Sequence, residues 1–235
     1  MVDFHTHILP GIDDGSASVE ESLQMLRAEK EQGISRVVLT PHFYPQRDIP
    51  ESFLKKREAA FGLLQQAAEQ EDLPEMVLGA EVYYYPGMSE SGALKELTIA
   101  ETGCVLVEMP FVKWTKDMHR ELENIYARQG LTPIVAHLDR YIRPWRTYGI
   151  PERLQELPVL VQANASFFTS RFTGSLAKRL FMEKKIHLLG SDCHVRTRRP
   201  PCLGKLRQNL DREDLLQIEE TECRIFMEDS PYKGK

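Results

Sequence analysis

Two imidazoles stand two residues apart in Asp3-Phe4-His5-Thr6-His7. Side chains of an extended strand alternate faces, so His5 and His7 point the same way and are able to grip one metal ion. His-x-His occurs by chance, but the later apolar runs repeat the theme. They end in His42, Glu81, Glu108 and His137, and the last leads into Ser191-Asp192-Cys193-His194. With Asp14, the candidate ligands are His5, His7, Asp14, His42, Glu81, Glu108, His137, Asp192 and His194, nine in all. One ion takes about four to six donors, so this set suggests two or three ions. Imidazole and carboxylate without thiolate suit Zn²⁺, Mn²⁺ or Fe, and the carboxylates lean the set towards Mn²⁺ or Fe. Of the seven histidines, His119 and His187 fall outside the pattern and receive no role.

Two arginines follow the ligands closely, Arg140 after His137 and Arg199 after His194. Guanidinium forks match phosphate oxygens. Metals and arginines at one mouth point to phosphoester hydrolysis. Arg196 and Arg198, in the same basic run, are expected to be solvated. Cys193 and Arg199 also fit a Cys-x5-Arg spacing used by cysteine-dependent phosphatases. No glycine lies between them and two prolines follow, so the loop lacks the usual phosphate cradle. Cys193, between Asp192 and His194, should face away from the metals.

Elements that would position these groups alternate along the chain. Apolar strand-like runs end at about His7, Leu39, Glu81, Glu108, His137 and Ala163, and a seventh starts near Ile186. Between them, Ser18 and Glu21 form an expected capping box, Val19, Leu23 and Leu26 line one helical face, and Gly33 suits its stop. Further helices are expected over about 51–70, with Leu54, Phe61, Leu64 and Ala68 buried, and over 115–128, 175–184 and 203–226. The tail around 230–235 is expected to fray. Such alternation predicts a parallel sheet with helical crossovers. An open sheet gathers its ligands at a switch point between a few strands. Only a closed ring brings nearly every strand end together, so a distorted α/β barrel with its site at the C-terminal face is expected.

The chain has 235 residues, read as one domain over 1–235, and 42% of them are hydrophobic. A net charge of −5 argues against non-specific nucleic-acid binding. No apolar run approaches the ~20 residues of a membrane span, and no signal peptide is expected. The four cysteines show no zinc-finger or redox spacing, so reduced thiols in a cytoplasm are expected.

The pattern His5-x-His7, Gly11-Ile12-Asp13-Asp14-Gly15, Pro41-His42, Glu81, Glu108, His137-x-x-Arg140-Tyr141 and Ser191-Asp192-x-His194 resembles the polymerase-and-histidinol-phosphatase (PHP) superfamily. Within it, the chain is most similar to bacterial manganese-dependent protein tyrosine phosphatases of capsule and exopolysaccharide operons. The resemblance spans about residues 1–200. It implies a distorted (β/α)7 TIM-like barrel of the PHP type holding three divalent metal ions, Mn²⁺ first, with Fe or Zn²⁺ as alternatives. It assigns His5, His7, Glu81 and Asp192 to one ion, Glu81, Glu108 and His137 to a second, and Asp14, His42 and His194 to a third. Arg140 and Arg199 match its phosphate-binding arginines. Val195 departs from it, since similar chains often carry Asn there.

The resemblance further implies phosphotyrosine hydrolysis on a protein partner, the tyrosine-rich tail of a bacterial tyrosine kinase, in the cytoplasm and without a covalent intermediate. Tyrosine leaves more readily than an alkyl alkoxide, its pKa being about 10, so little general-acid help is needed. Asp139 and Asp13 are positioned in sequence to give such help. Tyr83-Tyr84-Tyr85-Pro86 is read as an exposed aromatic segment, packed on the rim or stacked on the substrate ring. The nearest alternative is a small-molecule phosphomonoesterase such as a histidinol-phosphate phosphatase. A nuclease conflicts with the acidic charge, and a non-catalytic metal-binding regulator conflicts with the full ligand set and both arginines.

Overall fold

The computed structural model describes residues 1–100, 102–142, 149–195, 197–227 and 232. In chain order the elements are β1 (Val2–Thr6), α1 (Val19–Glu31), β2 (Arg36–Leu39), β3 (His42–Phe43), α2 (Pro50–Ala68), β4 (Glu75–Leu78) and β5 (Glu81–Tyr83). They continue with β6 (Cys104–Glu108), α3 (Lys116–Gln129), β7 (Thr132–Val135), α4 (Ile150–Gln155) and β8 (Leu160–Asn164). The chain ends with α5 (Ala165–Thr169), α6 (Gly174–Met182), β9 (Leu188–Gly190) and α7 (Arg212–Phe226).

All strand pairs are parallel, in the orders β1-β2-β4 and β3-β5-β6-β7-β8-β9. β2 and β3 are two pieces of one line, as are β4 and β5, so the nine segments make seven strand lines. Pro41, without an N–H, interrupts the first of these lines. Backbone bonds Thr40 N–H to Thr6 O (2.9 Å), Gly79 N–H to Leu39 O (2.9 Å) and Glu81 N–H to Pro41 O (3.0 Å) carry the pairing across the breaks. Beyond β9 the chain joins β1. Asp192 N–H donates to His5 O and His7 N–H to Cys193 O, each at 2.8 Å, and Thr6 bridges Cys193 in parallel. The seven lines therefore close into the expected ring.

Strand residues alternate between two apolar clusters. Phe4, Val38, Leu106, Ile134, Leu160 and Leu188 form the small one, floored by Ile225 of α7. Their neighbours Val37, Leu39, Val105, Val107, Val135, Val161 and Leu189 belong to the larger one, between the strands and the helices. A register shift between Asp3 and Thr6 marks where β1 passes from core packing to ligand presentation; such bulges re-aim side chains.

Three local expectations need correction. Ser18 Oγ accepts the Glu21 N–H (3.2 Å), but the Glu21 carboxylate takes the N–H of Ala17 (2.9 Å), so only half of the capping box forms. On α2 the buried stripe is Phe53, Arg57, Ala60, Leu64 and Ala68, with Leu54 and Phe61 only half-buried. Arg57 turns inward because its guanidinium donates to Gly79 O (3.1 Å) and Glu96 O (3.3 Å), carbonyls near the break in the third line. The expected last helix is broken into a 3-10 turn over Leu203–Gln208 and α7. Asp211 and Asp214 exchange side-chain bonds with each other's N–H, a full capping box that starts α7 afresh. Residues 228–231 and 233–235, with most of the tail expected to fray, lie outside the described residues.

Candidate metal centre

The nine expected ligands gather at the C-terminal ends of the strands. Donor atoms of His7, Asp14, His42 and His194 lie within 4.8 Å of one another, as do those of His5, His7 and Glu81, and those of His42, Glu81 and Glu108. Glu81 stands at the middle. Its Oε2 is 3.1 Å from His5 Nε2, 3.3 Å from His7 Nε2 and 2.9 Å from His42 Nδ1, and its Oε1 is 2.9 Å from His137 Nε2. His137 Nε2 also lies 3.4 Å from Glu108. Asp192 Oδ1 is 3.7 Å from His5, 3.6 Å from His7 and 3.5 Å from His194. Asp14 is exposed and sits 3.5 Å from both His42 and His194.

The hydrogen bonds leave lone pairs pointing inward. Gln162 Oε1 accepts the backbone N–H of His137 (2.6 Å), which fixes its amide, and then accepts from His5 Nδ1 (3.3 Å). Asp13 Oδ2 accepts from His7 Nδ1 (2.7 Å), and the Asp192 carbonyl accepts from His194 Nδ1 (3.0 Å). Each ring thereby turns Nε2 towards its neighbours, as outer-shell partners of metal-bound histidines do. His42 Nδ1 and Glu81 Oε2 are buried and lie 2.9 Å apart, close but not aligned as a hydrogen bond, and neither has another hydrogen-bond partner. Orphaned donors and acceptors of this kind, in a mixed imidazole and carboxylate set, fit divalent cations well.

Electrostatics agree. Burial would lower His7, but its bonds to Asp13 and Glu81 hold it up at about 10. Burial likewise opposes the proton on His137, yet Glu108 and Glu81 raise it to about 9. Glu81 is buried, which pushes it up, but His5, His137 and His42 hold it well below the usual carboxylate range. Asp192 falls to about 2 because His5, His7 and Arg140 outweigh burial and Glu81. His194 drops to about 4 through burial and the neighbouring charge of His7.

Two of the candidate ligands have strained backbones, His137 at φ +32° and Asp192 at φ +53°. Such conformations cost about 1–3 kcal/mol and gather at functional sites. Both occur where a strand ends and the side chain turns to the centre.

Arg140 and Arg199 reach the site from separate segments and both contact Asp192 Oδ2. Arg199 Nη1 is also 3.2 Å from His194 Nε2. They remain 31% and 41% exposed, so their guanidinium groups face the mouth. Arg198 is exposed as expected, and Arg196 lies outside the described residues. Cys193 is fully buried with Sγ 4.0 Å from Glu29 Oε1, and burial with the Glu29 and Asp3 carboxyls pushes the thiol far up. Of the described loop amides, those of His194, Arg198 and Arg199 are taken by backbone carbonyls: His194 N–H donates to Arg199 O (3.0 Å), and the N–H groups of Arg198 (3.2 Å) and Arg199 (3.0 Å) donate to Val195 O.

The remaining sequence expectations divide. His119 Nδ1 bonds the Thr115 carbonyl (2.7 Å), and His187 Nδ1 accepts from Val161 N–H (3.1 Å), both away from the centre. Tyr84 is buried and Tyr83 and Tyr85 are half-buried, so this segment is not the exposed aromatic stretch expected. Asp13 is no proton donor. Its oxygens accept from His7 Nδ1, the His42 N–H (3.0 Å) and the Gly15 N–H (2.9 Å). Burial pushes Asp13 up, but His7 and these N–H groups hold it well below the usual range. Sequence reasoning missed this orienting role, although Asp-x-Gly in a loop signals a side-chain-bonded turn. Gly15 is required because a Cβ there would stand 2.1 Å from the His7 carbonyl. Gln162, mid-strand, gave no signal.

A family model described as capsular polysaccharide synthesis, CpsB/CapC, matches residues 1–230. The chain belongs to the CpsB/CapC family. Among CpsB/CapC relatives, the tyrosine-protein phosphatase CpsB of Streptococcus pneumoniae is 31% identical over 86% of this chain and 86% of its own. The tyrosine-protein phosphatase YwqE of Bacillus subtilis is 30% identical over 84% of this chain and 79% of its own. A crystal structure from work on YwqE and CpsB, described as unique metal-dependent tyrosine phosphatases, superposes with a TM-score of 0.79 at 22% identity, covering 94% of this chain and 93% of that one. The histidinol phosphate phosphatase of Lactococcus lactis shares the barrel at a TM-score of 0.53 and 14% identity, covering 96% of this chain and 94% of that one. No helix among the described residues is long and apolar enough to cross a membrane.

Proposed function

We propose that this CpsB/CapC chain, as one domain over residues 1–235, is a metal-dependent protein tyrosine phosphatase. Its substrate is the phosphotyrosine tail of a bacterial tyrosine kinase that controls capsule or exopolysaccharide synthesis. The observation that carries this reading is the convergence of nine ligand-type side chains with two half-exposed arginines at one barrel mouth. The named relatives supply the substrate class.

In this reading His5, His7, Glu81 and Asp192 would hold one divalent ion, Mn²⁺ foremost, Glu81, Glu108 and His137 a second, and Asp14, His42 and His194 a third. The chemistry that such ions would supply there is a water nucleophile near neutral pH and an offset to phosphoryl charge. The chain's own residues do the rest. Asp13 and Gln162 hold His7 and His5 in the tautomer that leaves Nε2 free. Arg140 and Arg199 bind phosphoryl oxygens and stabilise charge that builds in the transition state. The buried Cys193 takes no part, so no phosphoenzyme forms. The enzyme works in the cytoplasm.

The test is hydrolysis of a phosphotyrosine peptide and of histidinol phosphate by metal-stripped protein, with Mn²⁺, Zn²⁺ or Mg²⁺ added back. Metal-restored turnover that favours the peptide supports the proposal. Preference for histidinol phosphate would move the function to small-molecule metabolism.

A further inference from the structure

Phe111 follows β6 and is 58% exposed. Its ring centroid lies 5.9 Å from that of His137 and 5.7 Å from that of Tyr141, and the Arg140 guanidinium carbon lies 5.9 Å from its centre. Of the exposed large apolar residues described, it is the one in ring contact with both a candidate ligand and a candidate phosphate-binding arginine. Its base is firm. Tyr141 beneath it is buried, accepts the Met109 N–H at its hydroxyl (2.8 Å) and meets Trp114 edge-on at 5.0 Å. An exposed aromatic side chain on a rigid support is not explained by core packing. Among the described residues, Tyr84 is buried, and Tyr44 carries Arg47 over its face (4.7 Å) and Tyr83 beside it (5.7 Å).

We propose that Phe111 selects an aryl leaving group, its exposed ring packing against the phenyl ring of phosphotyrosine while Arg140 beside it binds the phosphoryl oxygens. This inference rests on the tyrosine phosphatase reading. Aromatic pairs prefer offset or edge-to-face contact and contribute modestly beyond their buried area. The effect should therefore appear as weaker aryl binding rather than lost chemistry.

Phenyl phosphate isolates the ring from peptide contacts, and inorganic phosphate isolates the anion site. For metal-loaded Phe111→Ala, the KM for phenyl phosphate should rise about 3- to 10-fold. The inhibition constant for inorganic phosphate should stay within about twofold, and metal content should be unchanged. Phe111→Trp should restore the KM. An unchanged KM for phenyl phosphate, or an equal rise in both constants, would overturn the assignment, as would a rise in KM confined to the peptide. Wild-type protein without turnover on any aryl phosphate would overturn the phosphatase reading and this inference together. Wild-type turnover without a selective defect in Phe111→Ala would overturn the inference alone.

Discussion

The Nε2 atoms of His5 and His7 face each other at 3.1 Å in a fully buried site. Their Nδ1 atoms bond Gln162 and Asp13, so both Nε2 atoms turn inward, towards each other and the Glu81 carboxylate. Two nitrogens on one ion at about 2.0–2.1 Å stand roughly 3–3.4 Å apart for ordinary coordination angles. The observed spacing falls within that range.

Glu81 lies within 3.3 Å of four histidines, and removing its charge should disable the centre. Glu81→Gln keeps the shape but halves the donor capacity of the shared group. It should bind at least about one ion fewer per chain and lose about 10²-fold or more in turnover. Metal analysis after gel filtration reads the first effect. A variant with full metal content would remove Glu81 from the ligand set.

Metal loading should release protons. In the metal-free protein His7 and His137 titrate at about 10 and 9, so both are protonated at neutral pH. A ligand nitrogen must be deprotonated to bind. Affinity should therefore climb as pH rises towards 9, with about two protons released per chain at pH 7. Calorimetric titration in buffers of different ionisation enthalpy measures this number. A pH-independent affinity between 6 and 9 would contradict it.

A second titration concerns stability alone. Burial raises Glu222 to about 7, against the opposing Val2 N–H bond and the chain's amino group. A carboxyl whose folded value is raised binds its proton more tightly when folded. Its contribution is complete below the unfolded value near 4.5 and is lost as pH rises through 7. Between pH 5 and 8 the wild type should lose on the order of 2–3 kcal/mol that Glu222→Gln does not. Chemical denaturation at both pH values checks the slope. Parallel slopes for the two proteins would exclude the effect.

The ring and the convergence of the candidate ligands were legible because all of them but Asp14 lie at or near the end of an apolar run, and chain order alone brings such ends together in a parallel barrel. The breaks at Pro41 and at Gly79-Ala80 were not read, since a run such as Val77 to Glu81 carries no sign of where pairing changes partner. The α2 stripe was misread because Arg57 scores as a surface residue until its two carbonyl partners from other segments are known. Gln162 was invisible for the same reason: its partners His5 and His137 lie on other strands. Asp13 was visible as a residue, but its three bonds depend on a loop folding back over His7.

Cys193→Ser separates two phosphatase chemistries. The thiol is fully buried beside Glu29, and the surrounding carboxyls disfavour its thiolate. The variant should keep turnover within about threefold, since nucleophilic chemistry needs a thiolate that this site suppresses. Steady-state assays on a phosphotyrosine peptide read this directly. Near-total loss with normal metal content would return the thiol to the mechanism.

Arg199→Ala should behave in the opposite way. Arg199 contacts Asp192 Oδ2 and His194 Nε2, yet its side chain is 41% exposed at the mouth. A group placed for phosphoryl oxygens acts mainly where charge accumulates, so its loss should fall on kcat by about 10²-fold. Metal content should hold, because its cation is not a ligand. Arg199→Lys should recover little, since one ammonium does not reproduce the planar fork. Turnover within threefold of wild type would remove Arg199 from the mechanism. Loss of metal in parallel with turnover would instead make it a support for Asp192.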